Sequence, residues 1–458
     1  MAGKEVKVLY QKDLPLLNRI AVRRLLAAIL MLVVMTTGCQ SRLNGVKVGP
    51  LRRVSQVPYV FESHIAVDPT NPDHLAASTI ATSDLECPLF TCQCNLVLYT
   101  STDGGVTWME QTAFAATRSS FNGVVGFGPD GTLYAVGVWG GWIAINWSNA
   151  DDQMTPANRA FLGGNDKPWL TVDQRNGALY VPYSGLDTSQ YKYVGIYLKR
   201  STDGGTTWSE PVAVEQGVEL SANLARQAVP PFGAQVMLGE GSVLAVAWIW
   251  SPGVDTWPAG VWLATSNDGG ESFSAPRQIA ESWGIISTAT HNGTYYVFYR
   301  RGTEQDQELA VGLSHDGGAT WKSSLVSDDV PLYFDLNKAP GVSVAPDGTL
   351  DVVFYAHGEG APDCIDLEAF RKRREEGWVD ACVYDVYYTF SRDGGQTFSP
   401  PLRLNEEPIV GARFVRSQAV SSLGDYIGMA STDEYAYPIW IDTRGEEGTQ
   451  AYTVRIER

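Results

Sequence analysis

The stretch Ser201-Thr-Asp-Gly-Gly-Thr-Thr-Trp208 decides the fold, because close variants of it occur five times in the chain. The other copies, STDGGVTW, SNDGGESF, SHDGGATW and SRDGGQTF, begin at Ser101, Ser266, Ser314 and Ser391. In each copy, aspartate and hydroxyl side chains can bond nearby backbone amides, and the glycine pair supplies positive φ at low cost. The final Trp or Phe can anchor the next strand by packing. Each copy is therefore predicted to be a tight turn between two β-strands.

This repeated pattern resembles the Asp box of sialidases and other BNR-repeat β-propellers. The likeness rests on five copies of an eight-residue motif spread over most of the chain. It implies a propeller fold. It implies little about activity, because the Asp-box turn is structural and lies away from the sialidase active site.

A second unit, formed by a short strand, a tight turn and another strand, recurs seven times. In one copy, Val342–Ala345 leads through Asp347 and Gly348 to Leu350–Phe354. Asp-Gly and Asn-Gly pairs are favoured in two-residue hairpin turns. The seven units begin at Ile65, Val125, Leu170, Ala234, Ile285, Val342 and Ile427. We therefore predict an all-β chain that forms a single β-propeller of seven four-stranded antiparallel blades, with the six blades of classical sialidases as the alternative.

The two ends of the chain are predicted to meet in the last blade. The seventh unit ends after the strand Ala451–Ile456, one strand short of a full blade. Val48–Val54 has the pattern of an outer strand, as seen in Ser399–Asn405. This N-terminal strand is predicted to complete the last blade, which would leave no open sheet edge in the ring.

The first 38 residues are predicted to be a signal peptide of the lipoprotein type. A cationic leader precedes the apolar run Leu25–Val34, which is short for a membrane span, and Cys39 follows a small residue pair. Cys39 is expected to be lipidated, although Thr36 stands where such signals usually carry Leu. An uncleaved anchor or an ordinary secretory signal are the alternatives. Residues 39–46 are then a linker and residues 47–458 the propeller, exported and lipid-anchored in a bacterial envelope, in the periplasm or at the cell surface.

Composition and cysteine spacing exclude several classes of function. Hydrophobic residues make up 44% of the chain, which is enough to fill a core and excludes disorder. The net charge of −17 argues against nucleic acid as a partner. No metal site or cofactor is predicted, and a structural calcium ion is left open. Cys364 and Cys382 are expected to form a disulfide after export, and Cys87 could pair with Cys92 or Cys94.

The long insertions of the chain all fall on one face of the predicted propeller. They span residues 80–94, 184–193, 251–257 and 357–382, in the connections that share a face with the starts of the inner strands. Long loops on a rigid scaffold commonly carry function. A glycan or protein ligand is expected on this face of a monomer.

The sialidase resemblance implies a particular chemistry on that face. Three arginines hold a substrate carboxylate, a tyrosine activated by a glutamate attacks, and an aspartate is the general acid. The residues that can fill the catalytic roles are Glu62, Asp166 and Tyr426. The candidate substrate-binding arginines are Arg226, Arg300, Arg413, Arg416 and Arg444. We therefore expect a glycoside hydrolase of exo-α-sialidase type that acts on terminal sugars.

The first blade departs from the sialidase pattern. Sialidases typically carry an arginine motif there, whereas Val57–His64 contains no arginine. The alternative hypothesis is therefore a non-catalytic propeller that binds a glycan or a protein through the same face.

Overall fold

The computed structural model describes residues 45–82, 93–114, 117–148, 153–164, 166–187, 189, 192–221, 229–251, 258–303, 306–332, 338–358, 383–410, 423–444 and 448–458. The chain divides into Met1–Lys47 and a compact unit, Val48–Arg458. The predicted signal peptide, Cys39, the Cys364–Cys382 disulfide and three of the candidate arginines lie outside the described residues. Among the described residues, no helical segment has the length and hydropathy of a membrane span.

Two short N-terminal strands precede seven antiparallel sheets. The strands are β1 (Lys47–Val48), β2 (Arg52–Arg53), β3 (Val60–Asp68), β4 (Asn71–Thr82), β5 (Cys94–Ser101), β6 (Met109–Thr112), β7 (Ser120–Phe127), β8 (Leu133–Trp139), β9 (Trp142–Ser148), β10 (Met154–Gly163), β11 (Thr171–Val172), β12 (Leu179–Asp187), β13 (Lys192–Ser201), β14 (Val212–Ser221), β15 (Phe232–Leu238), β16 (Leu244–Trp250), β17 (Ala259–Ser266), β18 (Arg277–Ser282), β19 (Ser287–His291), β20 (Thr294–Thr303), β21 (Asp306–Ser314), β22 (Lys322–Leu332), β23 (Gly341–Val344), β24 (Leu350–His357), β25 (Val383–Ser391), β26 (Leu402–Arg403), β27 (Ile409–Val410), β28 (Gly428–Ser431), β29 (Tyr435–Asp442), β30 (Gln450–Thr453) and β31 (Ile456–Glu457).

These sheets are the blades of a seven-bladed β-propeller, as predicted. Blades 1 to 6 begin with β3, β7, β11, β15, β19 and β23, and each runs through four sequential strands, with β27 added to blade 6. Blade 7 begins with β28 and continues through β29 to β30. The first strand of each blade contacts the first strand of the next, and β28 contacts β3, which closes the ring.

The N-terminal strand closes the last blade, which confirms the prediction from sequence. Strand β2 pairs with β30, with Arg52 opposite Thr453. The Val54 amide extends this pairing by donating to the Ala451 carbonyl at 2.8 Å. The edge of blade 7 is therefore covered by the opposite end of the chain.

The second strand of a blade is buried on both faces, because each blade is packed between two others. All residues of β8 and β24 are buried, and β16 is buried except at Trp250. The sequences of β8 and β16 are continuous apolar runs, not alternating ones, as expected for strands covered on both sides, and β24 differs in burying Asp351 and His357. The core is thus divided among the interfaces between blades.

The Asp boxes are the turns between the third and fourth strands, as predicted. In the copy of blade 3, Ser201 Oγ donates to Asp203 Oδ1 at 2.8 Å and Thr207 Oγ1 donates to Asp203 Oδ2 at 2.6 Å. The Gly205 amide donates to Ser201 Oγ at 2.9 Å, and Trp208 Nε1 donates to the Gly205 carbonyl at 2.8 Å. Local side-chain bonds therefore specify the turn, and no ligand is needed for it.

Candidate functional site

The polar groups of the candidate site lie where the innermost strands begin, at the mouth of the central channel. Each is supplied by the start of a first strand or by the residues just before it. We call this group the channel-mouth cluster, and its members are Glu62, Asn122, Asp166, Lys167, Asp425 and Tyr426. A cavity of about 230 Å³ lies farther along these strands and is lined by residues of the first strands of several blades. The structure thus brings together the three predicted catalytic residues.

A buried lysine joins two carboxylates at the centre of the cluster. Lys167 Nζ lies 3.0 Å from Glu62 Oε1 and also contacts Asp425 Oδ2. The side chains of Lys167 and Glu62 are only 11% and 8% exposed, whereas that of Asp425 is 33% exposed. Burial raises the pKa of Glu62 above its usual value even though the lysine charge opposes this. The charges of Asp425 and Glu62 raise the pKa of Lys167 against the effect of burial, so the lysine stays protonated.

Asp166 is held by three donors. It accepts hydrogen bonds from Tyr193 OH at 2.7 Å, from the Lys167 amide at 2.9 Å and from Asn122 Nδ2 at 3.2 Å. The Asn122 amide also donates to Glu62 Oε2 at 3.1 Å, so this residue links the two carboxylates. Burial raises the pKa of Asp166, with the nearby lysine and the hydrogen bonds opposing it.

Tyr426 places its hydroxyl beside Glu62. The phenol donates to the Gly123 carbonyl at 3.0 Å and lies 3.4 Å from Glu62 Oε2. The residue is only 4% exposed, and burial together with the Glu62 charge raises its pKa well above 10. Trp169 packs edge-on against the Tyr426 ring, with ring centroids 5.6 Å apart. The phenol is therefore fixed in place and stays protonated until a base accepts its proton.

Backbone strain is concentrated in the same cluster. Among the described residues, five non-glycine residues have positive φ, and three of them are Glu62 (55°), Asn122 (53°) and Lys167 (42°). Such conformations cost roughly 1–3 kcal/mol each and persist where the surroundings hold them, commonly at functional sites. Gly424, at φ 82°, is required beside them, because a Cβ there would lie 2.4 Å from the Glu62 amide nitrogen.

The two described candidate arginines already have partners within the fold. Arg300 is 4% exposed, and its Nη2 donates to the Trp283 carbonyl at 3.0 Å. It shares with Lys338 the lining of a cavity of about 10 Å³, which is the size of one water molecule. Arg444 donates from Nε and Nη2 to Asp442 Oδ2 at 3.0 and 2.8 Å. Arg226, Arg413 and Arg416 lie outside the described residues, so a carboxylate clamp stays a prediction.

Sequence reasoning missed Lys167, Asp425 and Asn122 as members of the site. Lys167 and Asp425 stand directly beside the predicted Asp166 and Tyr426, in the stretches DKPW and GDY. The sequence shows that a lysine and an aspartate stand near the starts of two inner strands. It contains no pattern that predicts which residues they contact. Asn122 carries no motif, and only the structure shows its role.

Two further sequence predictions concern a metal site and the pairing of the cysteines. In the described residues, no group of three His, Cys, Asp or Glu side chains is placed to hold a metal ion. Cys94 is a buried free thiol, and burial raises its pKa to about 11. Cys87 and Cys92 lie outside the described residues, so the pairing of Cys87 stays a prediction.

Solved structures with this fold include enzymes named for their action on glycans. Residues 177–354 match the family model described as a BNR repeat-like domain. No curated protein matches the chain. The solved structures similar to it include the endosialidase of phage phi92, with 13% identity, a TM-score of 0.50 and coverage of 89% of this chain and 69% of that one.

Two other similar structures carry different names. A polysaccharide lyase described as a PL25 ulvan lyase has 11% identity, a TM-score of 0.48 and coverage of 88% and 93%. An α-L-arabinofuranosidase of Fusarium graminearum has 11% identity, a TM-score of 0.43 and coverage of 89% and 98%. At such identities the likeness concerns the fold alone. The chain is therefore a seven-bladed β-propeller with Asp-box turns, similar in fold to the phage endosialidase, and its residues 177–354 resemble a BNR repeat-like domain.

Proposed function

We propose that the protein is a glycoside hydrolase of the exo-α-sialidase type, exported and lipid-anchored, that acts on terminal sugars at the channel mouth. The observation that carries the proposal is the position of the Tyr426 hydroxyl, 3.4 Å from Glu62 Oε2, in a cluster that also contains Asp166. A phenol beside a carboxylate is the pair needed for attack by tyrosine, which is an exception among glycosidases.

In this mechanism Tyr426 Oη attacks the anomeric carbon while Glu62 accepts the phenolic proton. Asp166 donates a proton to the leaving glycosidic oxygen. Water then attacks the anomeric carbon with Asp166 as the base, the bond between sugar and tyrosine breaks, and Glu62 returns its proton to Tyr426 Oη. Burial raises the pKa of both carboxyls, which brings a base and an acid closer to neutral pH. Because burial also raises the pKa of Tyr426, its activation depends on proton transfer to Glu62 during attack.

Lys167 would act as a positioning residue in this reaction. Its ammonium group bridges Glu62 and Asp425, and its amide bonds Asp166, so one residue orients both catalytic carboxyls. Lys167 makes these contacts from a left-handed backbone conformation, at φ 42°. A site whose supporting groups are fixed in advance loses little free energy to reorganisation during the reaction.

The test is turnover of a fluorogenic sialoside and a panel of other aryl glycosides by residues 40–458, the mature chain without the lipidated Cys39. We expect hydrolysis of at least one substrate, and a fall in kcat of about 10²–10⁴-fold in Asp166→Asn and in Tyr426→Phe. Tyr452→Phe, which removes a hydroxyl that bonds Gln450 away from the channel mouth, is the matched control and should retain activity. A folded, monodisperse wild-type protein that hydrolyses none of the panel would contradict the proposal.

A non-catalytic glycan-binding propeller is the second candidate, and one observation favours it. The Tyr426 hydroxyl lies closer to the Gly123 carbonyl than to Glu62, and the residue is almost fully buried. Under this alternative, the Tyr426 and Asp166 substitutions change affinity or stability, and no variant or parent shows turnover.

A further inference from the structure

We propose that a strip of aromatic and cationic side chains across blade 2 binds an acidic glycan chain next to the channel mouth. The strip is defined by its five residues, Arg118, Trp139, Trp142, Arg159 and Phe161. It rests on the proposed function only in taking a glycan as the ligand, since none of its members belongs to the channel-mouth cluster.

The aromatic members share one face of the blade. Trp139 in β8 lies opposite Trp142 in β9, and Phe161 in β10 lies opposite Ala144, two residues after Trp142. Side chains two residues apart in a strand point to the same side of the sheet. The rings of Trp139 and Phe161 are stacked with centroids 5.6 Å apart.

Two of these rings are unusually exposed. Trp142 and Phe161 are each 54% exposed, and among the described residues they are the only exposed aromatic side chains. Exposed apolar groups that lie side by side mark interaction surfaces more often than isolated ones do. The flat faces of such rings suit the apolar face of a sugar ring, as they suit other flat apolar groups.

Two arginines complete the strip. The Arg159 guanidinium lies 4.5 Å from the Trp139 ring centroid and 5.3 Å from that of Phe161, and the Arg118 guanidinium lies 5.6 Å from the Trp139 ring centroid. In the described part of the chain, neither arginine forms an ion pair with a carboxylate. Guanidinium groups bind carboxylates and other oxyanions through paired hydrogen bonds, so these two can receive anionic groups of a ligand.

The turn of Gly140 and Gly141 shapes this surface. A Cβ on Gly140 would lie 2.4 Å from Arg118 Cδ, so the arginine stem is packed directly on the glycine. The Gly140 amide donates to the Ser119 carbonyl at 2.8 Å, which ties the turn to the segment that carries Arg118. The arginine is therefore positioned before any ligand binds, which limits the entropy lost on binding.

The strip begins beside the proposed catalytic groups. Trp139 is paired with Ser120 in β7, two residues before Asn122, which bonds both Glu62 and Asp166. From β7 to β10 there are three strand spacings, roughly 14 Å at about 4.8 Å each. This length fits several linked sugar units, so the ligand is inferred to be a chain and not a single sugar.

The net charge of the protein indicates which class of glycan the strip binds. With a net charge of −17, the chain as a whole repels anions. Arg118 and Arg159 are an exception to this repulsion, because they are stacked on an aromatic ring and have no carboxylate partner among the described residues. They therefore favour a glycan with carboxylate or sulfate groups. A neutral glycan would use the rings and would offer neither guanidinium group an anionic partner.

The experiment is affinity electrophoresis of the mature chain in gels that contain acidic or neutral polymers. The acidic probes are polygalacturonate, α2,8-linked polysialate and chondroitin sulfate, and the neutral probes are hydroxyethylcellulose and galactomannan. We expect retardation by at least one acidic polymer, a dissociation constant at least about tenfold higher in R118Q/R159Q and in W142A/F161A, and weaker binding at high salt.

Matched controls separate the strip from general effects of charge and exposure. Arg392→Gln removes an exposed arginine that lies 5.0 Å from the Phe390 ring in an Asp-box turn, and Met109→Ala removes a side chain that is 67% exposed on blade 1. Both controls should bind as the wild type does. All substituted side chains are at the surface, so the folded state should persist in each variant.

Three results would overturn the inference: no retardation by any acidic polymer, equal retardation by the neutral polymers, or unchanged binding by both paired variants. Its failure is distinguishable from failure of the proposed hydrolase. Retardation without turnover of aryl glycosides keeps the strip and refutes the hydrolase, whereas turnover without retardation does the reverse.

Discussion

Replacing Lys167 by Met tests whether the channel-mouth cluster is a strained ionic assembly held by one cation. Methionine keeps a flexible unbranched stem and has the same penalty for positive φ, so the main change is loss of the charge. Glu62, which is 8% exposed, then loses the cation that lies 3.0 Å from its Oε1. Breaking a buried pair in this way commonly costs about 3–5 kcal/mol.

The loss of stability caused by Lys167→Met has an upper limit that depends on pH. Glu62 can avoid the unpaired charge by taking up a proton, and for a carboxyl with an ordinary pKa of 4.5 this costs about 3.4 kcal/mol at pH 7 and about 0.7 kcal/mol at pH 5. Asp425 adds little, because it is 33% exposed and keeps water around it. Loss of the lysine contacts to the Phe232 and Tyr426 rings adds roughly 0.5–1 kcal/mol at either pH.

We therefore expect Lys167→Met to lower the free energy of unfolding by up to about 4 kcal/mol at pH 7 and by less than half of that at pH 5. The sign follows because burial already raises the pKa of folded Glu62 above its unfolded value, and loss of the lysine charge raises it further. The penalty is then absent below pH 4.5 and grows as the pH rises. Urea unfolding followed by tryptophan fluorescence at both pH values measures the difference.

Two further variants complete this test. Lys322→Met removes an exposed lysine from β22 and should change stability by no more than about 0.5 kcal/mol. The double variant E62Q/K167M removes the Glu62 charge together with its lysine partner. It should recover most of the unfolding free energy that K167M loses at pH 7. A loss of the same size at both pH values, or a double variant that is less stable than K167M alone, would show that the lysine charge is not what holds the cluster.

Two other substitutions test the Asp-box turns and the close packing of the site. Hydrogen bonds from Thr207 lower the pKa of Asp203 to about 2, so its contribution to stability is complete above its ordinary value of 3.8 and is lost as the pH falls towards 2. The Tm difference between the wild type and Asp203→Asn, measured by calorimetry, should therefore narrow between pH 5 and pH 3, and a constant difference would contradict this. Gly424→Ala should destabilise the fold by about 2–4 kcal/mol, because the added methyl group meets the Glu62 backbone at φ 82°. Gly141→Ala, at φ 85° with no atom within 4 Å, is the matched control in urea unfolding and should lose only about 1 kcal/mol.

The fold could be predicted from sequence because its signals are local. Each Asp box specifies its turn through side-chain bonds within eight residues, as in Ser201–Trp208, and the Asp-Gly and Asn-Gly pairs mark the hairpins. The seven strand–turn–strand units then predicted the number of blades. The closure of blade 7 by Arg52 and Arg53 was also predictable, because the last repeat lacked a strand whose pattern is found near the N-terminus.

The site could be predicted only in part. Glu62, Asp166 and Tyr426 were found because each stands at the start of an inner strand, and all such starts converge on one end of the channel. Their partners depend on contacts between distant segments, such as the 105 residues that separate Lys167 from Glu62. The left-handed backbone at both residues has no sequence signal, because neither is a glycine.

Arginine roles were harder to predict than carboxylate roles. Arg300 lies near the end of β20, and whether its long side chain points to solvent or folds back depends on segments that are distant in sequence. The structure places its guanidinium against Gly284 and the Trp283 carbonyl. Arg118 and Arg159 carry no motif at all, and only the packing of Trp139 beneath them shows that they share a surface.

Trapping a covalent intermediate on Tyr426 would test the proposed mechanism at its defining step. The mature chain would be incubated with fluorinated glycosyl fluorides of sialic acid and of the sugars in the aryl glycoside panel, then digested and mapped by mass spectrometry. We predict one glycosyl adduct on the peptide that contains Tyr426, and none in Tyr426→Phe. An adduct on a different residue, or no adduct with a reagent whose parent sugar is turned over, would contradict attack by this tyrosine.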